Sequence, residues 1–340
     1  MITIDGFLHT DPTPHASWRM AVLMGANTRT YKFALGDALL HAAADGRDEI
    51  PLAELALAYS AGLLDHIAHA PQAPSKASLG ESDFLTLAAA EAGESRRIGR
   101  PTEKLVDAAV GNMPQMVMRM FHNVSRTEVP HRFYELTGTR RDRVVRLTPH
   151  LRTVAMSEQA DLLRDELSAR WSIVETSFST GIGASLMTEG LVVDHAEQVL
   201  YDKRRRRAVA GVRAALTGFH HGRCLLCDQV LTSDEKSQVE HLFPFSLMNR
   251  FASVGQWKGP DLDTVWNLAP AHRTCNAEKG DRLPSEVERE RLAKRNAEIL
   301  NSPHPLRKTL VLTLKLHGCD PGDRNAWRKF IRRVYAQVVS

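Results

Sequence analysis

Cysteine is scarce, with four residues in 340, too few for a disulfide scaffold. No segment supplies the roughly 18 consecutive apolar residues of a membrane-spanning helix. The first ten residues lack both a basic leader and an unbroken apolar core, so no export signal is expected. Together these features predict a cytoplasmic protein in a reducing compartment, with no membrane partner. Charge of one sign is also in short supply: 44 basic residues against 40 acidic leave only +4, which by itself identifies no partner. Internal repeats and low-complexity tracts are missing. What remains, 43% hydrophobic and 25% charged, is an ordinary globular composition on a chain long enough for two domains.

Apolar residues at Tyr31, Ala34, Leu35, Ala38, Leu39 and Ala42 recur at helical spacing and predict a helix over 30–44. A second follows Pro51 through Leu52, Leu55, Tyr59, Leu63 and Ile67. The Pro- and Ser-containing stretch 70–82 reads as a loop before a short helix starting near Asp83. Two β-favouring runs, 132–136 and 143–147, flank Gly138-Thr139 and predict a hairpin. Leu163, Leu167, Trp171, Val174 and Phe178 mark a long amphipathic helix from about Ser157. A further helix is expected over 192–216, carrying the basic run at 203–207, which reads equally as a solvated segment or as phosphate contacts. Gly181 and Gly183 make no dinucleotide fingerprint, because no strand clearly precedes them. Near the C-terminus, Ser285 and Glu288 form a capping-box pattern, and Arg324, Arg328 and Arg332 recur along a last helix. The expected class is α+β, mostly helical.

The chemistry sits between 223 and 284. Cys224 and Cys227 form one x-x spaced pair, and His272 and Cys275 form another some 45 residues later. An isolated Cys-x-x-Cys is open to redox chemistry or chance; a matched second pair favours tetrahedral zinc. Four protein ligands leave the ion no open position, so the zinc is expected to be structural. Cys319 has no partner at metal spacing and reads as a packed thiol, while His220 and His221 read as a helix end or as phosphate contacts.

Between and after those pairs lie Glu240-His241 with Pro244 shortly beyond, then Trp266-Asn267-Leu268, then Asn276 with Lys279 and Gly280. In this order the motifs resemble the HNH, or ββα-metal, endonuclease family, in its zinc-containing subtype and with Asn at the third motif position. The resemblance covers about a fifth of the chain. It implies that His241 is the general base that activates water, that Glu240 and Asn276 hold a catalytic Mg²⁺ or Mn²⁺ through oxygen, and that Asn267 fixes the loop carrying the base. Glu240 stands where Asp is commoner, and His272 where Cys is frequent. Adjacent strand residues face opposite ways, so Glu240 and His241 can share a site only where the strand ends. Lys279 and Arg282 read either as phosphate contacts or as ordinary exposed charge.

The resemblance therefore implies a metal-dependent endonuclease acting on nucleic acid, DNA rather than RNA, in restriction or phage defence by analogy of architecture. The competing expectation is a catalytically inactive zinc-dependent nucleic-acid-binding module, or a subunit of a larger nuclease complex. The expected organisation is a mainly helical region with a hairpin over 1–216 for recognition or protein partners, a zinc-stapled nuclease module over 217–284, and C-terminal helices over 285–340 that pack on it.

Overall fold

The computed structural model describes residues 7, 11–25, 27–75, 78–124, 127–139, 142–178, 191–194, 199–202, 208–233, 237–250, 257 and 259–339. The chain divides into two compact units, Thr3–Gly183 and Ala184–Ser340. Helices dominate both and the sheets are small, so the fold is α+β and mostly helical.

The first unit is built from α1 (Pro14–Leu23), α2 (Tyr31–Ala44), β1 (Glu49–Pro51), α3 (Leu52–Ile67), α4 (Phe84–Ile98), α5 (Glu103–Asn112), β2 (Asn123–Val124), β3 (Thr127–Glu128), β4 (Tyr134–Thr137), β5 (Val144–Leu147), α6 (Pro149–Ala155) and α7 (Ala160–Phe178). The helices expected around 30–44 and 52–67 form where the apolar spacing places them. Asp83 caps α4 as a side-chain acceptor for Leu85 N–H, and the helix then runs 15 residues, longer than expected. A π-turn at Pro114–Met118 follows α5. The predicted hairpin is β4 against β5, with Tyr134 opposite Leu147. Its turn requires Gly138, whose φ is 82° and whose added Cβ would sit 2.3 Å from the Asp142 carbonyl oxygen. β1 adds a third strand on the other side of β5, which no local pattern announced.

Trp18 anchors the core of this unit, edge-on to Phe133 at 5.1 Å and tilted against Phe121 at 5.7 Å. Beside it Arg19 is buried and bonded bidentately to Glu166, with Gln159 taking a further guanidinium N–H at 3.0 Å. A pair taken so far from water is tolerated because its hydrogen bonds compensate the desolvation. Gln72 joins the start of α2 to α7 in the same way: its amide donates to Glu175, and its carbonyl accepts from Trp171 and Thr30.

The second unit opens with three antiparallel strands, β6 (Leu191–Asp194), β7 (Val199–Asp202) and β8 (Ala208–Gly211). This overturns the helix expected over 192–216, where among the described residues only those of α8 (Val212–Thr217) are helical. Runs such as Leu191-Val192-Val193 and Val199-Leu200-Tyr201 satisfy either period over so short a window, and strand pairing decided between them. The basic run at 203–207 and the glycines at 181 and 183 lie outside the described residues. Then come β9 (Ser237–His241), α9 (Ser246–Arg250), β10 (Leu268–His272), α10 (Arg273–Lys279), α11 (Glu286–Asn301), α12 (Leu306–Leu316) and α13 (Ala326–Val339). Both halves of the Ser285 and Glu288 capping box are formed at the start of α11. α11 packs against α12 and α13, and Phe330 of α13 meets Trp266 edge-on at 5.0 Å.

One buried histidine makes the first unit acid-sensitive. His122 is buried, and its Nε2 accepts from the Phe133 N–H at 2.9 Å, a bond that protonation destroys. Burial, reinforced by Arg132, pushes its pKa down to about 4. The unfolded chain therefore binds the extra proton first, so stability is complete above the ordinary histidine range and falls as pH drops toward 4. The loss should reach about 3 kcal/mol across that window. Urea unfolding of the whole chain at pH 7 and at pH 4.5 should show this slope, reduced in His122→Asn; an unchanged slope would remove His122 as its source.

Candidate metal and catalytic centre

β9 and β10 form a two-stranded antiparallel ribbon in which His241 faces Leu268, Glu240 faces Ala269 and Ser237 faces His272. α10 follows β10 directly and packs against both strands, giving a ββα unit. Gln238 and Glu240, two apart on β9, share one face. α10 runs along that face, so Asn276 donates to Gln238 Oε1 at 3.0 Å and Lys279, one turn later, reaches Glu240. Gly280 ends the helix with φ 48° and ψ −133°, backbone space that side chains disfavour.

The ribbon's far end carries the metal cluster. Cys224, Cys227, His272 and Cys275 present ligand atoms that all lie within 4.8 Å of one another. His272 Nδ1 is 3.4 Å from Cys227 Sγ and 3.7 Å from Cys275 Sγ. Those are the edges of a tetrahedron around an ion with metal–sulfur and metal–nitrogen distances near 2.3 and 2.0 Å, as for zinc. Three cysteines and a histidine can thus hold a metal such as zinc. The first knuckle is shaped by backbone bonds from Cys224 N–H to Gln229 O at 2.9 Å and from Asp228 N–H to Cys224 O at 2.9 Å. It is tied to β10 by Leu225 N–H to Pro270 O at 3.0 Å, and Arg291 of α11 clamps the Leu225 and Leu226 carbonyls. His272 N–H points at Cys224 Sγ at 3.4 Å, and the Val230 carbonyl lies 3.3 Å from His272 Nε2, supporting the ring from behind. Burial raises the Cys224 thiol, and burial together with the neighbouring Cys227 sulfur pushes Cys275 up to about 12. For Cys227 the backbone N–H of Gln229 and the neighbouring ligand groups outweigh burial and lower it.

β9 ends at His241, where the chain turns away from the ribbon. Its Nε2 lies 2.8 Å from Asp263 Oδ1, and its ring is 5.8 Å from that of Phe245. Asn267 is 0% exposed and bonds in three directions. Its Nδ2 donates to the Phe243 and Leu262 carbonyls at 2.8 and 2.9 Å, and its Oδ1 accepts from Phe243 N–H at 2.8 Å. One amide therefore holds the segment after His241 and the loop that carries Asp263.

Lys279, expected as a phosphate contact or an exposed charge, has a side chain that is 0% exposed, with Nζ 2.7 Å from Glu240 Oε1 and 3.3 Å from the Gly280 carbonyl. It serves as the buried counter-ion of Glu240. Arg282 is half-exposed and forks onto Glu288 at 2.8 and 2.5 Å. Burial works against the Glu288 charge, but Arg282 and the Ser285 N–H prevail and hold that carboxyl below the usual range. His220 and His221 are buried instead of facing a phosphate. Burial drives His220 well below the usual histidine range, and His221, at φ 55°, has Glu298 3.7 Å away. Cys319 Sγ lies against Arg333 Nη2.

A hard divalent cation on the α10 side of β9 would draw on the Glu240 carboxylate, which is bonded to Lys279, and on the amide oxygen of Asn276, whose N–H is bonded to Gln238. That donor type suits magnesium or manganese, which retain several waters. Lys279 engages Glu240 through Oε1, and among the described residues the Cys224 cluster is the one group of His, Cys, Asp or Glu with metal-ligand spacing.

Two residues central to this geometry escaped the motifs. Asp263 belongs to a loop whose approach to His241 has no local signature. Arg295 left a trace, because it shares with Leu292, Asn296 and Ile299 the buried stripe of α11, where polar residues need partners. Its guanidinium bonds the Val265, Trp266 and Leu268 carbonyls, and Asn296 bonds Trp266 O as well. No protein-family model, curated protein or solved structure matches this chain.

Two outcomes follow from these contacts. The Cys224→Ser and Cys275→Ser variants should lose bound zinc by elemental analysis and unfold at lower urea than the parent; full zinc content in both would refute the ligand set. Lys279→Met leaves Glu240 as a poorly solvated charge and should cost roughly 3 kcal/mol, most of it recovered in the Glu240→Gln, Lys279→Met double variant. An additive double variant would show that the pair is not coupled.

Proposed function

We propose that this chain is a metal-dependent HNH-type endonuclease that hydrolyses phosphodiester bonds in nucleic acid, with DNA as the substrate. The observation that carries the reading is the ββα unit, whose first strand stops at His241, whose second begins just after the buried Asn267, and whose helix bears Asn276.

Hydrolysis needs an activated water in line with the leaving oxygen and compensation of the charge that gathers on phosphorus-bound oxygen. His241 takes the proton from the water. Its side chain is 22% exposed, so solvent reaches it. Asn267 touches no substrate; its three bonds hold the segment after the base and the loop that carries Asp263. Glu240 and Asn276 would bind Mg²⁺ or Mn²⁺, which supplies positive charge to the phosphate when present. Lys279 orients the Glu240 carboxylate, and the zinc cluster is structural because its four protein ligands leave no open position. Arg282, half-exposed, would meet a phosphate if it exchanged Glu288 for it.

A second reading has one observation in its favour. Glu240 Oε1 already faces the Lys279 ammonium, as it would in a zinc-folded module that binds nucleic acid without cutting it. Incubation with plasmid, single-stranded DNA and RNA, with Mg²⁺, Mn²⁺ or chelator, separates the two. Metal-dependent cleavage of DNA is expected, reduced at least a hundredfold in His241→Ala and abolished by chelator. Binding without cleavage in either metal would establish the second reading instead.

A further inference from the structure

We infer that Asp263 is the positioning residue for His241, fixing the imidazole in the tautomer that carries its proton on Nε2 and presents Nδ1 as the acceptor. The kinetic consequence rests on the nuclease reading; the tautomer does not.

The chemistry of the contact leaves little choice. A neutral imidazole has one N–H donor and one acceptor nitrogen, and an ionised carboxylate only accepts. With His241 Nε2 2.8 Å from Asp263 Oδ1, the shared proton belongs to Nε2. The acceptor lone pair then lies on Nδ1, across the ring from Asp263.

The contact is also built, because both partners are held independently of each other. Asp263 sits in a loop closed by three bonds to Asp261. Asp261 Oδ1 accepts from Asp263 N–H at 2.8 Å, and the Asp261 carbonyl accepts from Thr264 Oγ1 at 3.0 Å and from Trp266 Nε1 at 2.9 Å. Asn267 N–H bonds Thr264 O at 2.9 Å, and the Asn267 amide bonds Leu262 O beside Asp263. The same amide bonds both backbone groups of Phe243, two residues after His241. Arg295 holds the carbonyls of Val265 and Trp266 from below. The base and its carboxylate therefore approach each other from two segments pinned to one side chain, and neither needs the other to be in place.

In the hydrolytic step one O–H proton of the attacking water passes to Nδ1, the water oxygen forms the new bond to phosphorus, and the bond from phosphorus to the leaving oxygen breaks. The leaving oxygen takes a proton from solvent water. The imidazolium formed by the transfer is then paired with the Asp263 carboxylate, so charge develops where an opposite charge already stands.

Nitrogen-15 NMR of the His241 ring in the intact, zinc-loaded chain tests the tautomer directly, and cleavage of duplex DNA with Mg²⁺ or Mn²⁺ tests its consequence. The wild-type ring should show the Nε2–H tautomer, and Asp263→Ala should convert it to a mixture. Asp263→Asn keeps the size of the side chain but can offer Nε2 a donor, and should shift the ring toward Nδ1–H. Both variants should lower kcat by about 100-fold or more while KM moves little. Zinc content equal to that of the parent confirms the fold of each, and the near-isosteric Asn variant carries the test if the Ala variant does not fold. A wild-type ring in the Nδ1–H form, a tautomer unchanged in both variants, or wild-type kcat in both would overturn the assignment. A chain that shows the expected tautomers and cuts no nucleic acid supports Asp263 as the positioning residue and overturns the nuclease reading alone.

Discussion

A single buried amide carries the geometry of the candidate catalytic end. Asn267 is closed off from water and makes three side-chain bonds, all to backbone groups of two other segments. An amide suits the position because it donates and accepts at once, and because an unmet backbone group in its place would carry the full cost of desolvation. Through it the end of β9, the start of β10 and the 261–264 loop become one rigid body. His241 and Asp263 inherit their positions from that body.

The same segment is held from the opposite side by charge. Arg295 is fully buried and spends its N–H groups on three carbonyls of the 265–268 stretch. Burial pushes its pKa down to about 9, with Glu298 opposing the fall, and it remains a cation at neutral pH. A guanidinium can do this because its fork meets several carbonyl oxygens in one plane. Lys279 and Arg282 follow a related logic. Both are matched to a carboxylate in the same unit, Lys279 to Glu240 and Arg282 to Glu288.

The two ends of the ribbon divide the work by donor softness. At one end three sulfurs and an imidazole are packed to tetrahedral distances, with backbone N–H groups aimed at Cys224 and Arg291 holding the knuckle carbonyls. At the other end the side chains offer oxygen and a second imidazole. The strands between them are only five residues each, so the knuckle end and the His241 end are joined by a short, fully paired lever.

Elements whose information is local were legible in the sequence: the helices from Tyr31 and Leu52, the Gly138 hairpin, the Ser285 cap, and the two ligand pairs whose x-x spacing is itself the geometry of a knuckle. Spacing within one turn or one hairpin is decided by bonds between near neighbours, and sequence records neighbours. What tertiary structure alone decided joins residues far apart in the chain. β6, β7 and β8 formed in the stretch expected as one helix because partners could pair there. Lys279 became a buried counter-ion because α10 lies on the Glu240 face of β9. Asp263 came to His241 because Asn267 bonds both of their segments. The residue types of the candidate site were written in the sequence; the carboxylate that meets His241 Nε2 stands 22 positions away, and only folding brings those two together.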